Sequence, residues 1–215
     1  MPVLTWDAAA SKIYRAGIDR GVLYTQGGTV GVPWNGLVAV DIDADSASST
    51  PIYFNGVKTF DYVVPGDFKG KITALTYPDE FEDFSGLSLI KTGVYVDNQP
   101  RNTFGLCYRE RIATAADGSS SSYMIHILYE LTAMADPVTS KTLDSNVSPI
   151  EFSWGVTGVP QTGDTLIRPT AHLMFDTSKI NSTLLATLTD LLYGTSSTTA
   201  SLPVLSDITA ADRFY

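Results

Sequence analysis

Apolar and polar residues alternate along three segments in the middle of the chain: 104–112, 123–132 and 150–156. A period of two, in stretches rich in β-branched and aromatic residues, is typical of half-buried strands. In the second segment the pattern predicts one apolar face, formed by Tyr123, Ile125, Ile127, Tyr129 and Leu131. The sequence therefore predicts an antiparallel sheet at the centre of the chain.

Shorter apolar segments predict further strands on both sides of this centre. They are 21–24, 37–42, 51–54, 57–64, 70–77 and 166–175, the last interrupted by Pro169 and hence an edge or bent strand. Asn55-Gly56 separates two of them and favours a tight hairpin turn. Residues 8–18 are expected to form a short helical turn. Residues 78–84, which include the acidic segment 79–83, are expected to form either a turn or a single helical turn.

One helix is predicted, over about 178–193, because its leucines fall on a single stripe at helical spacing. Ser178 or Asn181 is expected to cap its start, and Gly194 stands where a helix stops. The predicted fold class is mainly β: an antiparallel β-sandwich or barrel with one flanking amphipathic helix. We expect a single domain over 1–215, with an extended N-terminal arm (about 1–20), a polar loop (about 43–50) and an extended C-terminal arm (about 195–215).

Composition and charge exclude several classes of function. The 215 residues are 44% hydrophobic and carry a net charge of -9, which argues against a duplex-binding surface. Cys107 is the sole cysteine, so an internal disulfide is excluded. The N-terminus lacks a secretory signal pattern, and no apolar run approaches the ~20 residues of a membrane helix. A reducing compartment is expected, and no membrane partner.

Residues that bind metals are few. His126 and His172 are expected to lie far apart, each a satisfied or surface-facing strand residue without a ligand partner. Asp41, Asp43 and Asp45 resemble the start of a calcium loop, but serine and isoleucine occupy its sixth and twelfth positions. We therefore expect no metal site.

Catalytic motifs are equally sparse. Glu80 and Glu82 in the acidic segment could supply the carboxylate pair of a glycosidase, although carboxylates are common on a solvated turn. The sequence has no Gly-x-Ser-x-Gly elbow, and its glycines 27, 28 and 31 lack the lysine of a phosphate loop. No catalytic residue and no cofactor is expected, which favours a structural or binding protein.

Six segments occur in the order seen in one known family: 15–24, 31–37, 51–58, 76–81, 99–109 and 149–154. Together they resemble the major tail tube protein of long-tailed, non-contractile (siphovirus-type) bacteriophages, in particular those infecting actinobacteria. The resemblance covers most of the chain. We expect no additional C-terminal immunoglobulin-like domain of the kind that some relatives carry.

The resemblance implies a structural virion protein without enzyme activity, assembled in the host cytoplasm. Family members form rings of six that stack into a hollow tail tube around a tape-measure protein. Tail-tip and tail-terminator proteins would complete the tube, and genomic DNA would leave the capsid through its lumen without sequence-specific binding. The polar loop and the two arms are then expected to contact neighbouring rings. The candidate contact residues are Trp6, Arg20, Trp34, Asp43, Asp45, Phe81, Arg101, Arg213 and Tyr215.

Two other readings stay open at this point. The tryptophan and tyrosine content also suits a carbohydrate-binding β-sandwich module for host recognition, which would present aromatic side chains together on one face. A glycosidase using the acidic segment 79–83 is the third reading.

Overall fold

Strands dominate the computed structural model, which describes residues 6–7, 12–43, 48–64, 66–114, 122–142, 149–163 and 168–209. The strands are β1 (Ile13–Thr25), β2 (Val30–Pro33), β3 (Leu37–Ile42), β4 (Ser48–Phe54), β5 (Val57–Val64), β6 (Phe68–Ala74), β7 (Ser88–Lys91), β8 (Val94–Val96), β9 (Phe104–Thr114), β10 (Ser122–Ala135), β11 (Phe152–Gly158) and β12 (His172–Asp176). The helices are α1 (Glu82–Ser85), α2 (Ser182–Tyr193) and α3 (Leu205–Thr209). Single 3-10 turns occupy Gln26–Gly28 and Asp79–Phe81.

Eight strands form one antiparallel sheet in the order β2-β1-β9-β10-β11-β6-β3, with β12 also paired to β10. The two hairpins β4–β5 and β7–β8 are separate two-stranded sheets. The predicted fold class, mainly β and antiparallel with a flanking helix, is confirmed.

Apolar side chains cover both faces of the central strands. On one face an aromatic cluster includes Trp34, Phe81 and Trp154, with ring centroids 4.6 Å (Trp34–Phe81) and 4.9 Å (Phe81–Trp154) apart. On the other face β1, β9 and β10 pack against α2 through a second cluster that includes Leu188 and Leu192. Cys107 lies in this second cluster, fully buried, and its burial raises the pKa of the thiol to about 12.

The three central strands are confirmed, but one predicted face is wrong. Glu130 has φ 42°, and the pairing of β10 with β9 shifts register between Leu128 and Leu131. Such a bulge turns the following side chains to the opposite face. Leu131 therefore packs in the aromatic cluster, whereas Tyr129 packs against α2.

The predicted helix is confirmed as α2. The Asn181 side chain accepts a hydrogen bond of 2.8 Å from the Thr183 N–H, which caps the first turn. Gly194 follows the last helical residue with φ 73°, a conformation that favours glycine.

Replacing the cap tests how much it stabilises the fold. We expect Asn181→Ala to lower the free energy of unfolding by about 1 kcal/mol, since one N–H of the first turn loses its acceptor. Chemical denaturation measures the change. Ser182→Ala, one position later in α2, is the matched control and should shift stability by less than about 0.5 kcal/mol. Equal losses in the two variants would contradict the capping role.

Two predictions, one near the N-terminus and one at an edge of the sheet, need correction. The helical turn expected over 8–18 is wrong from residue 13 onward, because Ile13–Thr25 form β1 and pair with β9. The last predicted strand, 166–175, is shorter and forms only over His172–Asp176. Pro169 precedes it, which agrees with a strand that cannot extend through a residue without an N–H.

The sequence predicts an extended, exposed arm over about 195–215, but its described part, 195–209, packs against the fold. The Gly31 N–H donates to the Ala200 carbonyl at 2.8 Å, and the Leu202 N–H donates to the Gly28 carbonyl at 2.7 Å. Leu205 is buried at 1% exposure. This segment therefore docks along β2 and covers that edge of the sheet.

Candidate assembly surface

The β4–β5 hairpin carries many exposed large apolar side chains. Asn55 and Gly56 connect its strands with φ of 51° and 78°, the two positive values that a type I′ turn needs. Every side chain described in the hairpin is exposed. Because two strands alone are marginally stable in water, this hairpin is an element that gains from a partner surface.

Strand register sorts the hairpin residues into two faces. Ile52 pairs with Phe60, Thr50 with Tyr62, and Phe54 with Val57, with one bulge between Ile52 and Tyr53. Since side chains alternate along each strand, the large residues of these pairs share one side. We call this side the apolar face; its members and their exposed fractions are Ile52 39%, Phe54 72%, Val57 68%, Phe60 55% and Tyr62 60%.

The opposite side of the hairpin is mixed. Lys58 and Asp61 form an ion pair of 2.8 Å there, beside Tyr53 and Val63. The hairpin is thus amphipathic. Neither of its strands pairs with a strand of the main sheet. A contiguous exposed apolar face of this kind marks a site of protein–protein contact or ligand binding.

A second, shorter hairpin, β7–β8, was not predicted. Gly93, with φ 78°, lies in its turn, and its exposed apolar residues are Leu89, Ile90, Val94 and Tyr95. Strands of three and four residues are too short to give a periodic signal. The Gly93 turn, flanked by apolar residues on both sides, was the available signal.

The acidic segment 79–83 forms a 3-10 turn followed by α1, as its prediction allowed. Glu80 and Asp83 border an open depression of about 460 Å³. Glu82 instead accepts a hydrogen bond from Tyr95; burial raises the pKa of its carboxyl, and the charge of Asp79 adds to this. Glu80 and Asp83 therefore border the depression, whereas Glu82 is hydrogen-bonded to Tyr95.

Of the predicted contact residues, Trp34 and Phe81 lie in the aromatic cluster with 3% and 0% exposure. They have almost no surface to offer to another copy, because this fold uses large aromatic side chains to fill its core. Trp6, in contrast, is 76% exposed. Asp45, Arg213 and Tyr215 lie outside the described residues.

The remaining predicted contact residues are exposed and not brought together. The Arg20 guanidinium lies 5.5 Å from the centroid of the Tyr193 ring. Arg101 donates from Nε to the Ser85 carbonyl at 3.3 Å. The Asp43 N–H donates to the Lys69 carbonyl at 3.0 Å, which continues the β3–β6 pairing.

A partly buried ion pair links β1 to β9 beneath the surface. Arg109 donates from Nε to Asp19 Oδ1 and from Nη2 to Oδ2 at 3.1 Å, while Arg111 reaches Oδ2 at 3.4 Å. The ring of Tyr123 lies 3.8 Å from the Arg109 guanidinium carbon. The hydrogen bond from Arg109 holds the pKa of the Asp19 carboxyl below its usual value.

The prediction that the two histidines lie apart is wrong. His126 Nδ1 and His172 Nε2 are 2.9 Å from each other, because β10 and β12 are neighbours in the sheet. Within the described ranges, no group of three or more His, Cys, Asp or Glu side chains is arranged to hold a metal ion. None of the helices described is both long and apolar enough to cross a membrane.

Comparison with known proteins gives distant structural likenesses only. No family model and no curated protein matches this sequence. A chain of the PVC sheath-tube complex of an extracellular contractile injection system, in its extended state, is 12% identical, with a TM-score of 0.38 over 73% of this chain and 88% of that chain. A chain of the anti-feeding prophage cap, a tube-terminating cap, is 12% identical, with a TM-score of 0.37 over 81% and 99%.

A third likeness is to the sheath/tube terminator of the same PVC system, again 12% identical, with a TM-score of 0.34 over 75% of this chain and 97% of that chain. All three are components of tube, sheath or terminator assemblies.

Proposed function

We propose that this protein is a self-assembling structural subunit of a tail tube, of the type found in long-tailed, non-contractile bacteriophages. The observation that carries the proposal is the apolar face of the β4–β5 hairpin. Five large apolar side chains, none less than 39% exposed, stand together on a hairpin outside the main sheet. Contiguous apolar surface of this kind is typical of a face that another molecule covers.

The second copy of the chain is the occupant that the resemblance favours. Residues 51–58, the part of the hairpin around its turn, are one of the six segments on which that resemblance rests. An apolar hairpin that docks on a different surface of the next copy makes a heterologous contact, and such contacts build rings or open stacks. Rings of six, stacked around a tape-measure protein and closed by tail-tip and terminator proteins, are the proposed arrangement.

The charge balance of the chain suits a conduit for DNA. Asp and Glu outnumber Lys and Arg by 23 to 14, and a lumen with the same balance would let DNA slide without holding it through counterion release. The role proposed is structural, with no catalytic step, and the site of action is the virion after assembly in the host cytoplasm.

A pair of hairpin variants tests the proposal. Phe60→Ser removes a ring from the apolar face, and Val63→Ser, on the opposite side of the same strand, is its matched control. We expect the wild-type chain and Val63→Ser to form rings or tubes in electron micrographs, with matching masses by light scattering. Phe60→Ser should remain a folded monomer, because its interface has lost a large apolar contact.

Two results would count against this role. If Phe60→Ser assembles as well as the wild type, the apolar face is not the contact. If the wild-type chain instead binds glycans, and Phe60→Ser abolishes that binding, the aromatic residues serve a carbohydrate-binding module for host recognition.

A further inference from the structure

The two histidines of the chain meet in one partly buried hydrogen bond between β10 and β12. His126 is 3% exposed, and its Nδ1 lies 2.9 Å from Nε2 of His172. The imidazole of His126 also stacks on the Tyr108 ring, with centroids 4.6 Å apart and planes 4° from parallel. A hydrogen bond between two ring nitrogens requires one to carry a proton and the other to keep its lone pair.

Charged and titratable groups reach the pair from β9, β1 and, less directly, β3. Glu110 Oε2 lies 3.4 Å from His126 Nε2, and Arg15 Nη1 lies 3.7 Å from the same carboxylate oxygen. Asp41 on β3 acts on the Tyr108 phenol, whose pKa is raised mainly by burial. From β6, Phe68 contributes an uncharged ring whose centroid is 5.8 Å from that of His172.

Successive protonation has unequal effects on this arrangement. The first proton can reside on His126, where the Glu110 carboxylate faces Nε2, and Nδ1 can then donate to His172. The second proton leaves both facing nitrogens as donors, so the hydrogen bond is lost and two cations stand against each other. Burial lowers the pKa of His126, and burial together with the charge of His126 lowers the pKa of His172 to about 4.

The hydrogen bond holds an edge strand. Within the described sheet β12 pairs only with β10, over Met124–Leu128, and it leads through a short turn into α2.

We propose that His126 and His172 form an acid-sensitive latch that keeps β12 on the edge of β10 and releases it when both rings are protonated. The latch is independent of the assembly role, and it operates in the single subunit. Because folding depresses the pKa of these imidazoles, the latch contributes its full stability above the unfolded value of 6.5 and loses it as pH falls toward about 4.

Imidazole titration by NMR is the first measurement, on the full chain. With two histidines in the sequence, every imidazole signal belongs to the latch. We expect both rings to stay neutral well below pH 6.5, with the β12 amides broadening as the second ring titrates. Titration of both rings near 6.5 overturns the proposal.

Hydrogen exchange with mass readout locates the opening. After correction for intrinsic rates, amides of Leu173–Phe175 should exchange faster by on the order of tenfold or more at pH 4.5 than at pH 6.5. The β6–β11 ladder around Ile72 and Trp154 is the internal control and should accelerate much less.

His172→Gln supplies the decisive comparison, since a glutamine amide reaches the position of the histidine Nε2 and can still donate to His126 Nδ1, but does not titrate at these pH values. The acid acceleration at Leu173–Phe175 should disappear in this variant. Acceleration that persists in His172→Gln, or that is equal in β12 and in the β6–β11 ladder, contradicts the latch. If the variant does not fold, the wild-type titration decides alone.

Discussion

Phe81→Ala should lower the free energy of unfolding by about 3–5 kcal/mol, the range found when a buried phenylalanine is truncated. Phe81 is completely buried, and its ring packs against Trp34, Trp154 and Phe104, the last at a centroid distance of 5.2 Å. Removing it leaves a cavity that these rigid rings cannot close. Because a domain is stable by only about 5–15 kcal/mol, the loss is a large fraction of the total.

Denaturation followed by tryptophan fluorescence measures this change, since Trp34 and Trp154 lie in the affected cluster. Phe60→Ala is the matched control: the same truncation at a ring that is 55% exposed should cost less than about 0.5 kcal/mol. A loss below about 1 kcal/mol for Phe81→Ala would show that the cluster is not the main core.

Asp19→Ala should cost about 2–3 kcal/mol at neutral pH, because it leaves the Arg109 guanidinium without its carboxylate partner in a site where the Arg109 side chain is 13% exposed. The deficit should also depend on pH. The lowered pKa of Asp19 means that its contribution is present above the unfolded value of 3.8 and is lost as pH falls below it. Wild type and variant should therefore converge in acid.

Asp61→Ala is the matched control, because it breaks a solvent-exposed ion pair. The Lys58 and Asp61 side chains are 50% and 41% exposed. We expect it to change stability by less than about 0.5 kcal/mol. Denaturant titrations of both variants at several pH values make the comparison. A deficit for Asp19→Ala that stays constant down to pH 3 is incompatible with the ion pair as its source.

Sequence patterns predicted the elements whose side chains repeat over several turns or strand positions. The central strands and α2 are long enough for the period to be unambiguous, and Asn55-Gly56 sets its turn locally. The face of Leu131 could not be predicted, because a single residue at positive φ reverses the alternation without changing the pattern.

Contacts between distant segments were the other limit. His126 and His172 are 46 positions apart, and only the pairing of β10 with β12 brings them together. The docked segment after α2 depends on glycines elsewhere: a Cβ at Gly105 would lie 2.7 Å from Leu202 Cδ2, and one at Gly31 would lie 2.7 Å from the Ala200 Cβ. The space beside these two glycines depends on contacts between distant segments, so the local sequence pattern does not predict it.

For the assembly surface, the sequence indicated the hairpin but not its partner. Its alternation and turn were readable from residues 51–64 alone. The exposure of its apolar face could not be predicted, because it depends on how all the other described strands pair with one another.

The burial of Cys107 has a practical consequence for following assembly. A fully buried thiol whose pKa is raised to about 12 is a poor nucleophile, so we expect maleimide dyes not to react with it in the native subunit. The natural chain thus needs no cysteine removed before a single reporter is attached. A cysteine introduced at Thr59, in the bulge of the exposed hairpin, would carry that reporter to the surface under study.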